Sequence, residues 1–379
     1  MPARTLSILA VEPWLGGSHQ QFLEQWRRHS RHEIDVLGLP ARHWRWRMRS
    51  AAWELARELP QRKRPDLIFA SDFLDLPSFL GQLPPHWGHP PAAIYFHENQ
   101  LTYPLSDASD VERTRERDQH LAFTNVLSCV RADLAVFNSD FHRRDFLQAA
   151  IDMCGALPRP NPRRELEDAI DAAAVVGPGI DLAEIPLGAG GPEGTPLRVL
   201  FNQRWEFDKD PVGFLRAVLA AREQGAEIEL MLLGESFELL PPGAKEPLAA
   251  LETHIVRRGF AKSREEYARL VGSCDVVVST SRHEFFGIAV AEALAAGCRP
   301  LLPNRLAYPE LVANDERVLY EREEDLVREM VQLAESPAIW RDPGVRADWR
   351  TRVERHDARR VASDLDELCA RFSPVPGTS

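Results

Sequence analysis

Short apolar runs alternate with amphipathic stretches along most of the chain. In the first half, LSILAVE (6–12), IDVLGL (34–39), DLIFAS (66–71), AAIYFH (92–97), DLAVFNS (133–139) and AAVVGP (173–178) read as strands. Between them lie helical stretches such as SHQQFLEQWRR and HLAFTNVLSCVRA. Continuous apolar runs separated by helices predict a parallel sheet covered on both faces. The rhythm breaks at LAEIPLGAGGPEGTP (182–196), which is rich in Gly and Pro and has no period, so a linker is expected there. It then restarts, with strands at 197–203, 227–235, near HIVRRGF, at 275–281 and at 299–303, and helices at 211–225, 264–272 and 286–296. The pattern predicts an α/β protein of two Rossmann-like, doubly wound domains, 1–181 and 197–379, with a cleft between them. It leaves room for the last helix to pack back on the first domain. ALPRPNPRRE (156–165) reads as a surface loop.

A length of 379 residues exceeds what one compact core supports, which agrees with two domains. No apolar run approaches the roughly 18 residues that span a bilayer. LSILAVEPWLGG lacks a basic leader and a cleavage site, so a first strand is expected rather than a secretory signal. Cys129, Cys154, Cys274, Cys298 and Cys369 are scattered without a C-x-x-C or a zinc spacing, as suits buried free thiols in a reducing cytosol.

The net charge of −11 argues against a generic nucleic-acid binder. Its distribution is uneven. From Arg27 to Arg64 there are eleven Lys/Arg against four Asp/Glu, a balance of +7. Within that segment RHWRWRMR interleaves Arg42, Arg45 and Arg47 with Trp44 and Trp46. Two readings stand: a solvated helix with snorkelling arginines, or a patch for phosphates and stacked bases.

In doubly wound sheets ligands bind at the carboxyl ends of strands, so the strand-to-helix turns are where chemistry is expected. EPWLGGSHQQF offers Gly16 and Gly17 for tight backbone geometry and Ser18 as an N-cap; it is either an anion site or an ordinary capped turn. YFHENQLTYP places His97 and Glu98 in a polar cluster directly after a strand. In FNSDFHRRDF, Asn138 and Ser139 read as helix caps. FNQRWEFDKDP carries Arg204 and Lys209, two cations suited to a diphosphate. The alternative for them is a surface ion-pair network with Glu206, Asp208 and Asp210. In SRHEFFGIAVAEALAAG, Glu284 precedes a helix whose first amides belong to Gly287 and Ile288, and Glu292 lies about two turns further on. A helix N-terminus favours Glu284 electrostatically. Glu292 sits in an apolar helix where an unpaired acid is costly, so it is expected to receive hydroxyl donors such as those of a ribose.

Together the GG turn, the R-x4-K pair, the E-x7-E pair and VVGPGID resemble the retaining GT-B nucleotide-sugar glycosyltransferases of family 4. EPWLGGSHQQF, LPARHWRWRMR, YFHENQLTYP, FNSDFHRRDF and RWEFDKDP further resemble the tRNA-queuosine mannosyltransferase group, also called glycosyltransferase-like domain-containing proteins. The resemblance implies a cytosolic enzyme that moves mannose from GDP-mannose to the queuosine of a tRNA. It implies an acceptor-binding first domain and a donor-binding second one. His97, Arg204, Lys209 and Glu284 would be catalytic. Gly16, Gly17, Gly287, Ile288 and Glu292 would join Arg204, Lys209 and Glu284 in holding the donor. Ser18, His19, Glu98 and Asn99 would join the Arg/Trp segment in meeting the acceptor. No cofactor or metal is expected. A family 4 enzyme acting on a glycan or lipid headgroup and a non-catalytic nucleotide-sugar or RNA-binding module are the alternatives.

Overall fold

The computed structural model describes residues 4–104, 111–234 and 240–372. It separates into two compact units, Met1–Gly179 with Ala358–Ser379, and Ile180–Asp357.

The first unit is built on six parallel strands: β1 Ser7–Leu15, β2 Glu33–Pro40, β3 Leu67–Ser71, β4 Ala92–Phe96, β5 Leu134–Phe137 and β6 Ala174–Val175. They are ordered β2-β1-β3-β4-β5-β6. Alternate residues of the same apolar run serve opposite faces. Ile8 and Ala10 pack with Phe22, Trp26 and Leu365, while Leu9 and Val11 pack with Ala51, Leu55, Val126 and Phe146. This two-sided burial is why the runs read as continuous rather than alternating. The C-terminal helix Ala358–Ala370 belongs to this unit. Its buried Asp366 accepts from Trp26 Nε1 at 2.9 Å and from the backbone N–H of Arg31 at 2.7 Å, so the chain's end is fastened to the helix Gly17–His29.

The second unit repeats the plan with β7 Leu197–Phe201, β8 Ile228–Leu232, β9 Ile255–Arg258, β10 Val276–Val278, β11 Arg299–Pro303 and β12 Leu319–Tyr320. Their order is β12-β11-β10-β7-β8-β9. Glu235, at the expected end of the 227–235 strand, lies outside the described residues. The two-residue β12 is too short to leave a pattern in the sequence.

The Gly/Pro-rich stretch 182–196 is part of the second unit and not a loose connection. The amides of Gly188 and Gly190 donate to Ala296 and Gly272 carbonyls, each at 3.0 Å, and Gly191 N–H donates to Asp275 Oδ1 at 2.8 Å. A Cβ on Gly188 would stand 2.0 Å from the Gly272 carbonyl oxygen. The absent side chain here serves close backbone packing rather than flexibility. All five cysteines are free and buried. Among the described residues no helix is long and apolar enough to cross a membrane.

Each strand order reverses once, between β1 and β3 in the first sheet and between β7 and β10 in the second. The crevice at the carboxyl ends of such a pair is where ligands bind in this class of sheet.

Candidate active site

In the second unit the loops after β7 and β10 meet at the reversal. Lys209 Nζ lies 3.2 Å from Glu284 Oε2 and 3.2 Å from Asp208 Oδ2, and it donates to the His283 carbonyl at 2.9 Å. Burial alone would lower the lysine, but Glu284 and Asp208 outweigh it and raise the ammonium above its ordinary range. Burial likewise pushes the Glu284 carboxyl up, and Lys209 overcomes this to leave it below the usual range. Buried His283 is lowered to about 4, first by burial and then by the Lys209 charge, so it stays neutral. The loop is fixed from both sides. Thr280 Oγ1 donates to the Lys209 and Asp210 carbonyls at 3.1 and 2.9 Å, and Arg282 N–H donates to the Asp208 carbonyl at 2.8 Å. Asp210 takes a left-handed conformation (φ 49°) and caps the helix Pro211–Glu223 through Gly213 N–H at 3.1 Å. Arg204, in contrast, is exposed, 3.5 Å from Glu206 and 3.9 Å from Asp208. Of the surface ion-pair network weighed as the alternative, the contacts of Arg204 with Glu206 and Asp208 and of Lys209 with Asp208 are present. Lys209 is buried, however, and its second carboxylate is Glu284, while Asp210 pairs with Arg282.

Gly287 is the N-cap of the helix Ile288–Ala295, at φ 92°. A side chain there would be strained and would stand 3.0 Å from the Tyr308 ring. Glu284 lies four residues before that helix, as the sequence led one to expect. Glu292 is buried and has protein partners that its apolar surroundings in the sequence did not announce. Tyr267 OH donates to its Oε2 at 2.9 Å, and Arg264 Nη2 stands 2.6 Å from its Oε1. Asn202 Nδ2 donates in turn to Tyr267 OH at 2.9 Å and to the Ala289 carbonyl at 2.8 Å, linking the end of β7 to this helix.

In the first unit the corresponding reversal gathers four titratable groups. Glu12 from β1, buried, accepts from Ser71 Oγ and the Trp14 amide, each at 2.8 Å, and holds His19 Nδ1 at 3.1 Å. The His19 ring stacks on His97, with centroids 3.9 Å apart and planes at 27°. Asp72, the first residue past β3 and fully buried, accepts from the His97 amide at 2.9 Å. Burial opposes charging His19, but Glu12 outweighs it and raises the imidazole to about 9. His97 is driven well below its ordinary range by burial and then by the charges of His19 and His142. One ring is therefore cationic and its stacked neighbour neutral.

Ligand atoms of Glu12, His19 and His97 all lie within 4.8 Å of one another, close enough to consider a metal ion. Within this cluster Glu12 pairs with His19, whose ring stacks on that of His97.

Several expected positions take other roles. Ser18 is exposed and does not cap: the helix begins at Gly17 with Gly16 as N-cap, and no side chain bonds there. Gly16 is needed because a Cβ would lie 2.6 Å from that of Ala41, and Gly17 because its φ is +53°. Asn99 is fully buried, and its Oδ1 accepts from Leu101 and Thr102 amides at 2.9 and 3.0 Å, so it holds its own turn rather than facing an acceptor. Glu98 accepts from Gln100 Nε2 at 3.0 Å. Ser139 caps the helix Asp140–Ala156 through His142 N–H at 2.9 Å, and Asn138 Nδ2 donates to the His97 carbonyl at 2.8 Å.

RHWRWRMR does not act as one surface. The helix starts at Trp44 after His43 at φ 53°. Trp44 packs against the cluster of Met48, Phe73 and Leu121. Arg45 stacks over Trp44 and pairs with Asp118 at 2.9 Å, and Arg47 pairs with Glu54 at 2.9 Å. Arg42 and Trp46 are exposed.

Two domain families match this chain: "tRNA-queuosine alpha-mannosyltransferase N-terminal" over residues 7–180 and "Glycosyl transferases group 1" over residues 189–353. The chain is a nucleotide-sugar-dependent glycosyltransferase whose first half is similar to the N-terminal domain of the tRNA-queuosine mannosyltransferases and whose second half carries a group 1 glycosyltransferase domain. The tRNA-queuosine alpha-mannosyltransferase of Drosophila melanogaster is 29% identical over 343 residues, 88% of each chain. The GDP-mannose:cellobiosyl-diphosphopolyprenol alpha-mannosyltransferase of Xanthomonas oryzae is 27% identical over 153 residues, 40% of this chain and 37% of that one. Among solved structures, sucrose-phosphate synthase from Thermosynechococcus elongatus superposes with a TM-score of 0.71 at 14% identity, covering 97% of this chain and 99% of the other. Anabaena HepE with UDP and glucose gives 0.66 at 14% identity, covering 96% and 99%. This glycosyltransferase thus uses a common fold with few shared residues.

Proposed function

We propose that this glycosyltransferase is a retaining, metal-independent, cytosolic enzyme that moves mannose from GDP-mannose to the queuosine nucleoside of a tRNA. The observation that carries the catalytic part is the buried Lys209 ammonium fixed beside Glu284 at the strand-order reversal of the group 1 domain. The likeness to the fly enzyme, along 88% of both chains, supports the mannosyl group and the acceptor, and the likeness to the Xanthomonas enzyme over 40% of this chain supports GDP-mannose as donor.

In the proposed reaction the bond from the anomeric carbon to the diphosphate oxygen breaks, and a bond from the acceptor hydroxyl oxygen to that carbon forms on the same face. The leaving diphosphate takes the hydroxyl proton, so no protein nucleophile is needed. Negative charge grows on the departing phosphate, and preorganised cations there lower the barrier. Lys209 supplies a charge whose position costs nothing to organise, and exposed Arg204 closes on the phosphates as a fork. The amides of Gly287 and Ile288 face the same charge. Glu284 accepts from sugar hydroxyls, and His97, kept neutral, orients a hydroxyl of the substrate. For Glu292 to take the ribose, a hydroxyl replaces the Arg264 guanidinium at Oε1 while Tyr267 keeps Oε2 oriented.

That exchange gives a direct expectation. Glu292→Ala weakens GDP binding by roughly ten- to hundredfold, the worth of a hydrogen bond to a charged group, whereas Glu284→Ala mainly lowers the rate with donor bound. Isothermal titration with GDP separates the two, and wild-type affinity in Glu292→Ala would remove the ribose role.

The reading as a whole is tested with radiolabelled GDP-mannose and purified tRNA. Label should enter tRNA that carries queuosine, should not enter the same tRNA with guanine at that position, and should be unaffected by EDTA. Loss of transfer on chelation contradicts metal independence. Transfer only to a polyprenol-linked glycan favours the second reading, which the partial likeness to the Xanthomonas enzyme keeps in view.

A further inference from the structure

The helix Trp44–Ala56 buries Met48, Ala51, Ala52 and Leu55 against the core of the first unit. Its other face carries two of the largest exposed apolar side chains in the structure: Trp46 is 61% exposed and Trp53 57%. Arg49 and Arg57 are exposed as well, the latter directly after the helix. At about 100° per residue, positions 46, 49, 53 and 57 fall within roughly 80° of one another. They form a single stripe of alternating indole and guanidinium, with Arg57 stacked 5.0 Å from the Trp53 ring. Beside the stripe, Glu54 pairs with Arg47 at 2.9 Å and Glu58 with Arg62 at 3.4 Å. Isolated exposed apolar residues need no explanation, but two tryptophans on one face, with Arg49 between them and Arg57 beside the second, do.

We propose that this stripe is a docking surface for an unpaired stretch of RNA. The inference rests on the tRNA reading above and extends it to residues outside the RHWRWRMR segment. Bases stack on aromatic faces regardless of sequence, and guanidinium groups neutralise the phosphates between them. Trp46 and Trp53 are seven residues apart, about 10.5 Å along the helix. At roughly 3.4 Å per stacked nucleotide they meet bases about three positions apart. The +7 balance between Arg27 and Arg64 selects a polyanion over an apolar protein partner.

The test measures affinity of the full-length protein for queuosine-containing tRNA and for a short unstructured oligoribonucleotide. Trp46→Ala and Trp53→Ala should each weaken both by about fivefold or more. Trp53→Phe, which keeps a stacking face, should retain most of the affinity. Arg49→Glu with Arg57→Glu should lower the slope of log affinity against log salt by about 1.4, at about 0.7 per phosphate contact on a single strand. Circular dichroism and GDP binding serve as fold controls. The stripe is overturned if the double tryptophan variant binds and glycosylates tRNA as wild type does, or if it only converts a dimer to a monomer in sedimentation. If RNA binding depends on the stripe yet no mannose reaches tRNA, the acceptor reading falls and the stripe stands.

Discussion

Lys209→Ala should lower kcat/KM for the nucleotide-sugar donor by more than tenfold and at the same time destabilise the second unit. The rate loss follows from removing a fixed charge where the leaving diphosphate develops its own, on the order of 2–4 kcal/mol in a shielded site. The stability loss follows from the surroundings. Lys209 is buried between Asp208 and Glu284, and deleting one partner of a buried set leaves uncompensated charge, at about 3–5 kcal/mol. Arg204→Ala separates the two effects. Its side chain is 47% exposed, so melting should be unchanged while turnover falls by a similar factor. Steady-state kinetics and thermal melts on the two variants check this. If both turn over at near wild-type rates, the diphosphate clamp is wrong. If Arg204→Ala melts as low as Lys209→Ala, the contrast drawn from burial is wrong.

Lys209 and Glu284 were each legible in the sequence as charges in strand-to-helix turns, but their pairing was not. They are 75 positions apart, and only the placement of β10 beside β7 brings the loops together. The strands were legible because two-sided burial demands continuous apolar runs. Glu12, the acid that closes the run LSILAVE, was missed, because nothing in the letters links it to His19 in the next helix or to Ser71 at the end of β3. Tyr267 and Arg264 were missed for a different reason. They lie in an ordinary amphipathic helix, and their partner Glu292 looked unpaired because its neighbours in sequence are apolar. In the Arg/Trp segment the residue types left a solvated helix and a patch for phosphates and bases both open, and could not say which residues face outward. That depends on the helix beginning at Trp44, which turns Trp44 inward and Trp46 outward.

Glu12→Gln should abolish a pH dependence that wild type shows between pH 6.5 and 9. His19 is buried, and burial by itself would keep it neutral; Glu12 at 3.1 Å overrides this and raises it to about 9 from an ordinary 6.5. A histidine whose folded value is raised stabilises the fold fully below its unfolded value, and that contribution disappears as pH climbs through the folded one. A rise of this size corresponds to about 3 kcal/mol, so the first unit of wild type should melt at falling temperature from pH 6.5 to 9. In Glu12→Gln the slope should vanish in that window, with the melting temperature at pH 7 already reduced. The neighbouring ring supplies an independent readout. His97 is held neutral by burial and then by the cationic His19 stacked 3.9 Å away, so neutralising His19 should let His97 titrate at a higher pH in the variant's histidine NMR spectrum. Transfer should then decline at low pH in the variant where wild type is flat, because His97 gains a proton and loses its acceptor nitrogen. A His19 resonance titrating near 6.5 in wild type would overturn the ion pair. So would a first unit whose stability does not change between pH 6.5 and 9.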